Sequence, residues 1–234
     1  MKFAITMCTY YRADGNSSSY LKRALDSIAN QTYQEYKIFL IGDKYEKNDE
    51  FEDICKSFPY PEKIFYTNLS EAKERDYFTD KMLVWKFGGV NAINIAIDKS
   101  IEEGFNYICH LDHDDYYSTD HLETIKKAFE DTNCSWLCTH ATYRNNVLPK
   151  ISSINPYVDY YPQEGNVAHS STCVNFKDLP IKYQTYTKGD PLTCSPSDGL
   201  MWKDISHISK EKKLKCIFVN KITCHVEDDG FYLK

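Results

Sequence analysis

YICHLDHDDYY, residues 107–117, decides how this chain is read. An apolar strand pattern (Tyr107, Ile108, Cys109, Leu111) runs straight into three carboxylates, Asp112, Asp114 and Asp115. Carboxylates this close repel one another, and burying them costs free energy unless a cation or strong donors offset it. The carboxyl end of a strand is also where open α/β sheets bind ligands. The turn is therefore either a divalent-metal site that holds phosphates or a solvated acidic end to a strand.

Upstream of this segment, strand and helix patterns alternate. Lys2–Thr9 reads as a buried strand, and Leu21, Ala24, Leu25 and Ile28 keep helical spacing. Tyr36–Ile41 is a second strand closed by Gly42-Asp43. Phe51, Ile54, Cys55 and Phe58 mark a short helix ended by Pro59 and Pro61, and Lys63–Tyr66 is a third strand. Asn68–Asp80 is charged and irregular. Val90, Ile93, Ile97 and Ile101 define an amphipathic helix, with Gly88-Gly89 before it and Gly104 after it.

Downstream, Leu122, Ile125 and Phe129 predict a helix and Ser135–Tyr143 a strand. Arg144–Asn166 is polar and broken by prolines. Ser170–Phe176 reads as a strand, Lys177–Ser195 as a loop, Asp198–Ile208 as a helix, and Lys215–Val226 as one broken strand or two. Alternation of this kind builds βαβ units. The expected fold is α/β: a Rossmann-like, mostly parallel mixed sheet flanked by helices. The first half looks like a nucleotide-binding wall and the second like a less regular wall attached to it.

The 234 residues suit one sizeable domain, and 42% hydrophobic with 26% charged residues is ordinary for a globular chain. A formal charge of -6 argues against a nucleic-acid partner, which needs a basic face. The longest apolar runs, such as Ile38–Ile41, are strand-length, so no transmembrane segment is expected. Met1–Ile5 opens into a strand and lacks the apolar region of a signal peptide. The nine cysteines are odd in number and mostly lie in strand patterns. That fits free thiols in a reducing, cytoplasmic setting better than a disulfide framework. Cys134 and Cys138, with His110 and His113 nearby in sequence, match no common zinc spacing.

Separate pieces line up in order along the chain. They are Ile5–Arg12, Ile41-Gly42-Asp43, the helix start Gly88–Asn94, the acidic turn, Pro196–Trp202 and Ile222–Val226. Together they resemble family 2 glycosyltransferases of the GT-A fold, over nearly the whole chain. The resemblance implies a single GT-A domain over 1–234, with a nucleotide-sugar-binding half at 1–117 and an acceptor-side half at 118–234. It implies transfer of a sugar, with inversion, from a nucleotide-diphospho-sugar (a UDP-sugar favoured) to a hydroxyl of a glycan or other acceptor.

Carried over residue by residue, the resemblance gives Thr9, Tyr10 and Arg12 the border of the base, and Asp43 a hydrogen bond to base or ribose. The family's two acids followed by Gly-Ser read Gly-Asp-Lys-Tyr here. Asn91 and Asn94 fall at the helix start that often carries Ala-Arg-Asn. Ile93 replaces the arginine, leaving Lys86 or Arg75 to supply a basic contact. Asp114 is implied as the direct ligand of Mn2+ or Mg2+, with Asp112 on the ribose or the metal, Asp115 in either shell, and His225 completing the metal site. Asp198 matches the general base that takes the acceptor proton. The competing role for Asp198 is a helix cap, unless Ser197 caps instead. Trp202 is expected in the core. Arg144–Ser195 is expected to shape the acceptor side. Two alternatives stand beside this reading: a sugar-phosphate nucleotidyltransferase, and a degenerate domain that binds nucleotide or glycan without turnover.

Overall fold

A computed structural model describes residues 1–185 and 195–227. Cys194 and the middle of the loop expected over Lys177–Ser195 fall outside them. The first half runs β1 (Phe3–Thr9), α1 (Ser17–Ala29), β2 (Tyr36–Gly42), α2 (Asn48–Lys56), β3 (Ile64–Asn68), α3 (Lys73–Tyr77), α4 (Lys81–Phe87), α5 (Val90–Glu102), β4 (Tyr107–His110) and β5 (Tyr116–Tyr117). The second half runs α6 (His121–Thr132), β6 (Trp136–Tyr143), β7 (Asn146–Leu148), β8 (Tyr157–Asp159), β9 (Thr172–Asn175), α7 (Ser197–Lys212) and β10 (Cys216–Val226).

One sheet takes the order β3-β2-β1-β4-β9-β6-β10-β5, with β7 added to β6 and β8 to β10. The pairs β1–β2, β2–β3, β1–β4 and β6–β10 are parallel. β9 runs antiparallel between β4 and β6, so it stitches the two halves into one mixed sheet. Both faces are covered. Leu21 and Leu25 of α1, Phe51 of α2, and Leu122 and Ile125 of α6 pack with Phe3, Ile5 and Met7. Val90, Ile93 and Ile97 of α5 and Trp202 of α7 pack with Ala4, Phe39 and Trp136 on the other. The alternation of Phe3, Ala4 and Ile5 between the faces is the two-residue period of a strand. Trp202 is 1% exposed and meets Trp136 edge-on at 5.9 Å, the core role its sequence position suggested.

The structure departs from the sequence expectations in a few places. Asn68–Asp80, expected to be irregular, contains α3, and α4 follows directly. Both helices are too short for periodicity to register; Asp80 caps α4 by accepting the Met82 N–H. The strand expected from Ser170 starts only at Thr172, after a 3₁₀ turn over His169–Ser171. β10 is one strand, with register shifts between Val219 and Ile222 and between Ile222 and Cys224 that account for its broken pattern. The eight described cysteines are all free, seven of them buried. Among the described residues no helix is long and apolar enough to cross a membrane.

Candidate active site

The parallel register aligns the carboxyl ends of three strands. Thr9 pairs with Gly42, and Thr6 with His110, so the residues after β1, β2 and β4 share one edge. Asp43 follows β2, and its N–H donates to the Thr9 carbonyl at 2.7 Å. Asp43 is 2% exposed. Its Oδ2 accepts from Arg75 Nε at 2.9 Å. Its Oδ1, like Thr9 Oγ1, is buried with no hydrogen-bond partner among the described residues. Burial pushes the Asp43 carboxyl above its ordinary range, although Arg75 pulls it back.

Arg75 also lies over the face of Tyr10, with its guanidinium carbon 3.4 Å from the ring centre. The same carbon would be 3.1 Å from a Cβ on Gly88, at the threshold of α5. Of the two cations considered in place of the arginine that Ile93 replaces, Arg75 therefore stands at the helix start. Gly89, at φ 85°, is the left-handed residue that starts α5, and a Cβ there would press on Cys8 Sγ at 3.1 Å.

The acidic turn is held by the protein on several sides. Arg12, 1% exposed, reaches Asp14 at 2.8 Å and Asp114 Oδ2 at 3.3 Å. Asp115 is buried, and both its oxygens accept protein hydrogen bonds: Oδ1 from the Glu227 N–H at 3.0 Å and Oδ2 from Ser170 Oγ at 2.5 Å. Asp112 is the open member, its side chain 43% exposed, and its Oδ1 lies 2.9 Å from His169 Nδ1. Its N–H donates to Ser170 Oγ at 3.0 Å. Burial and the neighbouring carboxylates hold Asp115 well above the usual carboxylate range, and burial raises Asp114 too. The protein atoms packed around Asp112 work against its ionised form despite this opening to solvent, but the charge and hydrogen bond of His169 outweigh them and keep Asp112 low.

Asp198 lies in the first turn of α7, behind Pro196, with no side chain capping the helix from outside. Ser197 therefore does not cap, and Asp198 Oδ1 accepts the Gly199 N–H at 2.8 Å. The cap and site readings share one carboxylate, with Oδ1 on the backbone. Burial raises the Asp198 carboxyl, while His169 lowers it and Asp112 raises it further, so these three groups feel one another.

Other expected positions have different local partners. Asn94 makes a two-way clamp with the Tyr183 backbone, at 2.9 and 3.0 Å. The Asn91 N–H donates to Glu74 at 3.3 Å. His225 has Ser118 Oγ on Nε2 at 3.0 Å and Thr142 Oγ1 on Nδ1 at 3.1 Å, and it stacks on Tyr116. To bind a metal it would first have to leave one hydroxyl. Among the described residues no group of three or more His, Cys, Asp or Glu side chains stands ready to hold an ion.

Sequence reasoning missed His169, Ser170 and Tyr183. The signal was there in His169-Ser170-Ser171-Thr172, a polar run opening a buried strand, which demands internal partners.

Carboxylates on the ends of parallel strands, with another on the start of a late helix, on a mixed sheet covered on both faces, fit the GT-A class of glycosyltransferases. Residues 5–176 match the pattern of glycosyl transferase family 2, and the chain belongs to that family. It is therefore a glycosyltransferase and not a sugar-phosphate nucleotidyltransferase. It is 34% identical to an uncharacterized glycosyltransferase of Acanthamoeba polyphaga mimivirus, over 98% of this chain and 95% of the relative. In fold it is similar to S. aureus TarS in complex with UDP-GlcNAc, with a TM-score of 0.69 at 15% identity, over 99% of this chain and 60% of that one. It is also similar to a mannosyltransferase of Pyrobaculum calidifontis in complex with GDP-Man and Mn2+, with a TM-score of 0.59 at 11% identity, over 98% of this chain and 58% of the other. The chain thus spans about three fifths of each of these solved proteins.

Proposed function

We propose that this glycosyltransferase moves a sugar from a nucleotide-diphospho-sugar to an acceptor hydroxyl with inversion at the anomeric carbon. The observation that carries this reading is the alignment of Asp43, Asp112 and Asp114 along one strand-end edge, within electrostatic reach of Asp198 through His169. In this reading the base and ribose lie beside Tyr10 and Asp43, the diphosphate lies beside the acidic turn, and Asp198 takes the acceptor proton as the hydroxyl oxygen attacks.

Asp43 supports a UDP-sugar in particular. Arg75 occupies one carboxylate oxygen, leaving Oδ1 as a single buried acceptor. Uracil offers one imide N–H to such an acceptor, whereas guanine presents two adjacent donors that suit a carboxylate with both oxygens open. The neighbours in fold bind donors of both kinds.

A divalent cation fits Asp112 and Asp114. Each keeps one oxygen outside its contact with His169 or Arg12. Mn2+ or Mg2+ takes few protein carboxylates and fills its shell with phosphate oxygens and water. When bound, such an ion neutralises charge on the leaving diphosphate.

A thermal-shift panel of UDP, GDP and their sugars, with and without MnCl2, tests this reading. UDP with manganese should raise the melting temperature most. A larger shift with GDP would overturn the base assignment, and a product of retained anomeric configuration would overturn inversion.

A further inference from the structure

His169 belongs to none of the strand-end motifs, yet it sits where the two halves of the site meet. Its Nδ1 is 2.9 Å from Asp112 Oδ1, and its Nε2 bonds the Tyr183 hydroxyl. Its ring stacks on His110 at 4.9 Å and 19°, and His110 is itself fixed by Thr6 Oγ1 at 2.8 Å. Tyr183 is in turn held through its backbone by Asn94 of α5. β1, β4 and α5 thus converge to hold one imidazole. Among the described residues no other side chain bonds the half-open Asp112 carboxylate. A carboxylate with two rotatable bonds and one tether takes its orientation from that tether.

We propose that His169 is a positioning residue: its Nδ1 fixes the Asp112 carboxylate for the nucleotide-diphosphate, and its Nε2 ties that carboxylate through Tyr183 to α5. The inference rests on Asp112 serving the donor, as in the proposed function. It separates the two nitrogens by task. His169→Asn puts an amide nitrogen near the Nδ1 position and keeps the Asp112 bond while dropping Tyr183. His169→Gln reaches the Nε2 position and does the reverse. A residue needed only for packing would tolerate the larger Gln better than Asn, the reverse of the order expected here.

The test uses the full chain, with UDP plus MnCl2 as the binding probe. His169→Asn and Tyr183→Phe, which lose only the outer tie, should weaken UDP binding by about threefold, and His169→Gln by about tenfold or more, the range of a lost charge-assisted hydrogen bond. Imidazole NMR in EDTA, without ligand, gives an independent readout. The His169 Nδ1–H should be protected in the wild type and in Tyr183→Phe, and lose protection in Asp112→Ala. Equal UDP binding by the Asn and Gln variants, or an Nδ1–H indifferent to Asp112, would overturn the proposal alone. A wild type that binds no UDP would overturn the donor reading, and the proposal with it.

Discussion

Arg75 donates its Nε–H to Asp43 Oδ2 at 2.9 Å, joining the short helix α3 to the end of β2 across a buried ion pair. The Asp43 side chain is 1% exposed and Arg75 17%, so neither charge is well solvated. Removing one partner strands the other. Arg75→Ala should cost about 3 kcal/mol at neutral pH, as expected for breaking a buried pair. The sign with pH follows from the raised Asp43 carboxyl. Folded Asp43 holds its proton more tightly than in the unfolded chain, and more so once Arg75 is gone. The penalty should therefore shrink as pH falls through that raised value. Urea denaturation of both proteins across mildly acid to neutral pH measures it. A pH-independent difference would rule out the buried carboxylate as its source.

This pair also marks how far the sequence could be read. The strand-end edge was legible because a short apolar run that stops at a carboxylate, as at Asp43 and Asp112, is the pattern of a buried strand emerging at a sheet edge. Arg75 was visible only as one of two candidate cations, with Lys86, for the α5 start. A five-residue helix leaves no periodic trace, and only folding brings residue 75 over Tyr10. The same limit applies to His169, whose partners Asp112 and Tyr183 are 57 and 14 residues away. Asp115 could not be placed from local sequence because its two donors, Ser170 and Glu227, come from distant segments.

Asp114→Ala should abolish donor turnover while leaving the fold in place. Arg12 retains Asp14 at 2.8 Å, so no buried cation is stranded. Under the proposed function, the lost group is an oxygen that would face the cation and diphosphate. Chelation with EDTA should suppress turnover of the wild type, and added MnCl2 should restore it. Circular dichroism confirms the fold of the variant, and nucleoside-diphosphate release measures its turnover. Undiminished release from Asp114→Ala would remove the acidic turn from the mechanism.

Asp198→Asn separates binding from chemistry. The amide keeps an oxygen for the Gly199 N–H and preserves the first turn of α7. It cannot take a proton, so transfer should fall by about 10²–10⁴-fold, the usual contribution of a general base. The manganese-dependent stabilisation by UDP should stay near the wild-type value. Because burial raises the Asp198 carboxyl, the wild-type rate should fall on the acid side as that base is protonated. The variant's residual rate should lack this limb. An unchanged acid limb in Asp198→Asn would assign it to another group.

Asp115→Asn decides whether the third carboxylate of the turn works on the ion or beneath it. Both its oxygens already accept protein hydrogen bonds, which lower its carboxyl, but burial and the charges of Asp114 and Asp112 outweigh them and raise it. A neutral amide removes that repulsion and keeps one acceptor oxygen. The variant should bind UDP with manganese within several-fold of wild type, whereas Asp114→Asn should not. In EDTA the wild type should gain stability as pH falls from Asp115's raised value toward the ordinary carboxylate range, because the folded state binds that proton more tightly than the unfolded chain does. Asp115→Asn should flatten this rise, read as the urea midpoint against pH. Loss of UDP binding as complete as in Asp114→Asn would instead place Asp115 on the ion. Its bonds to Ser170 and Glu227 would then have to open when the donor arrives.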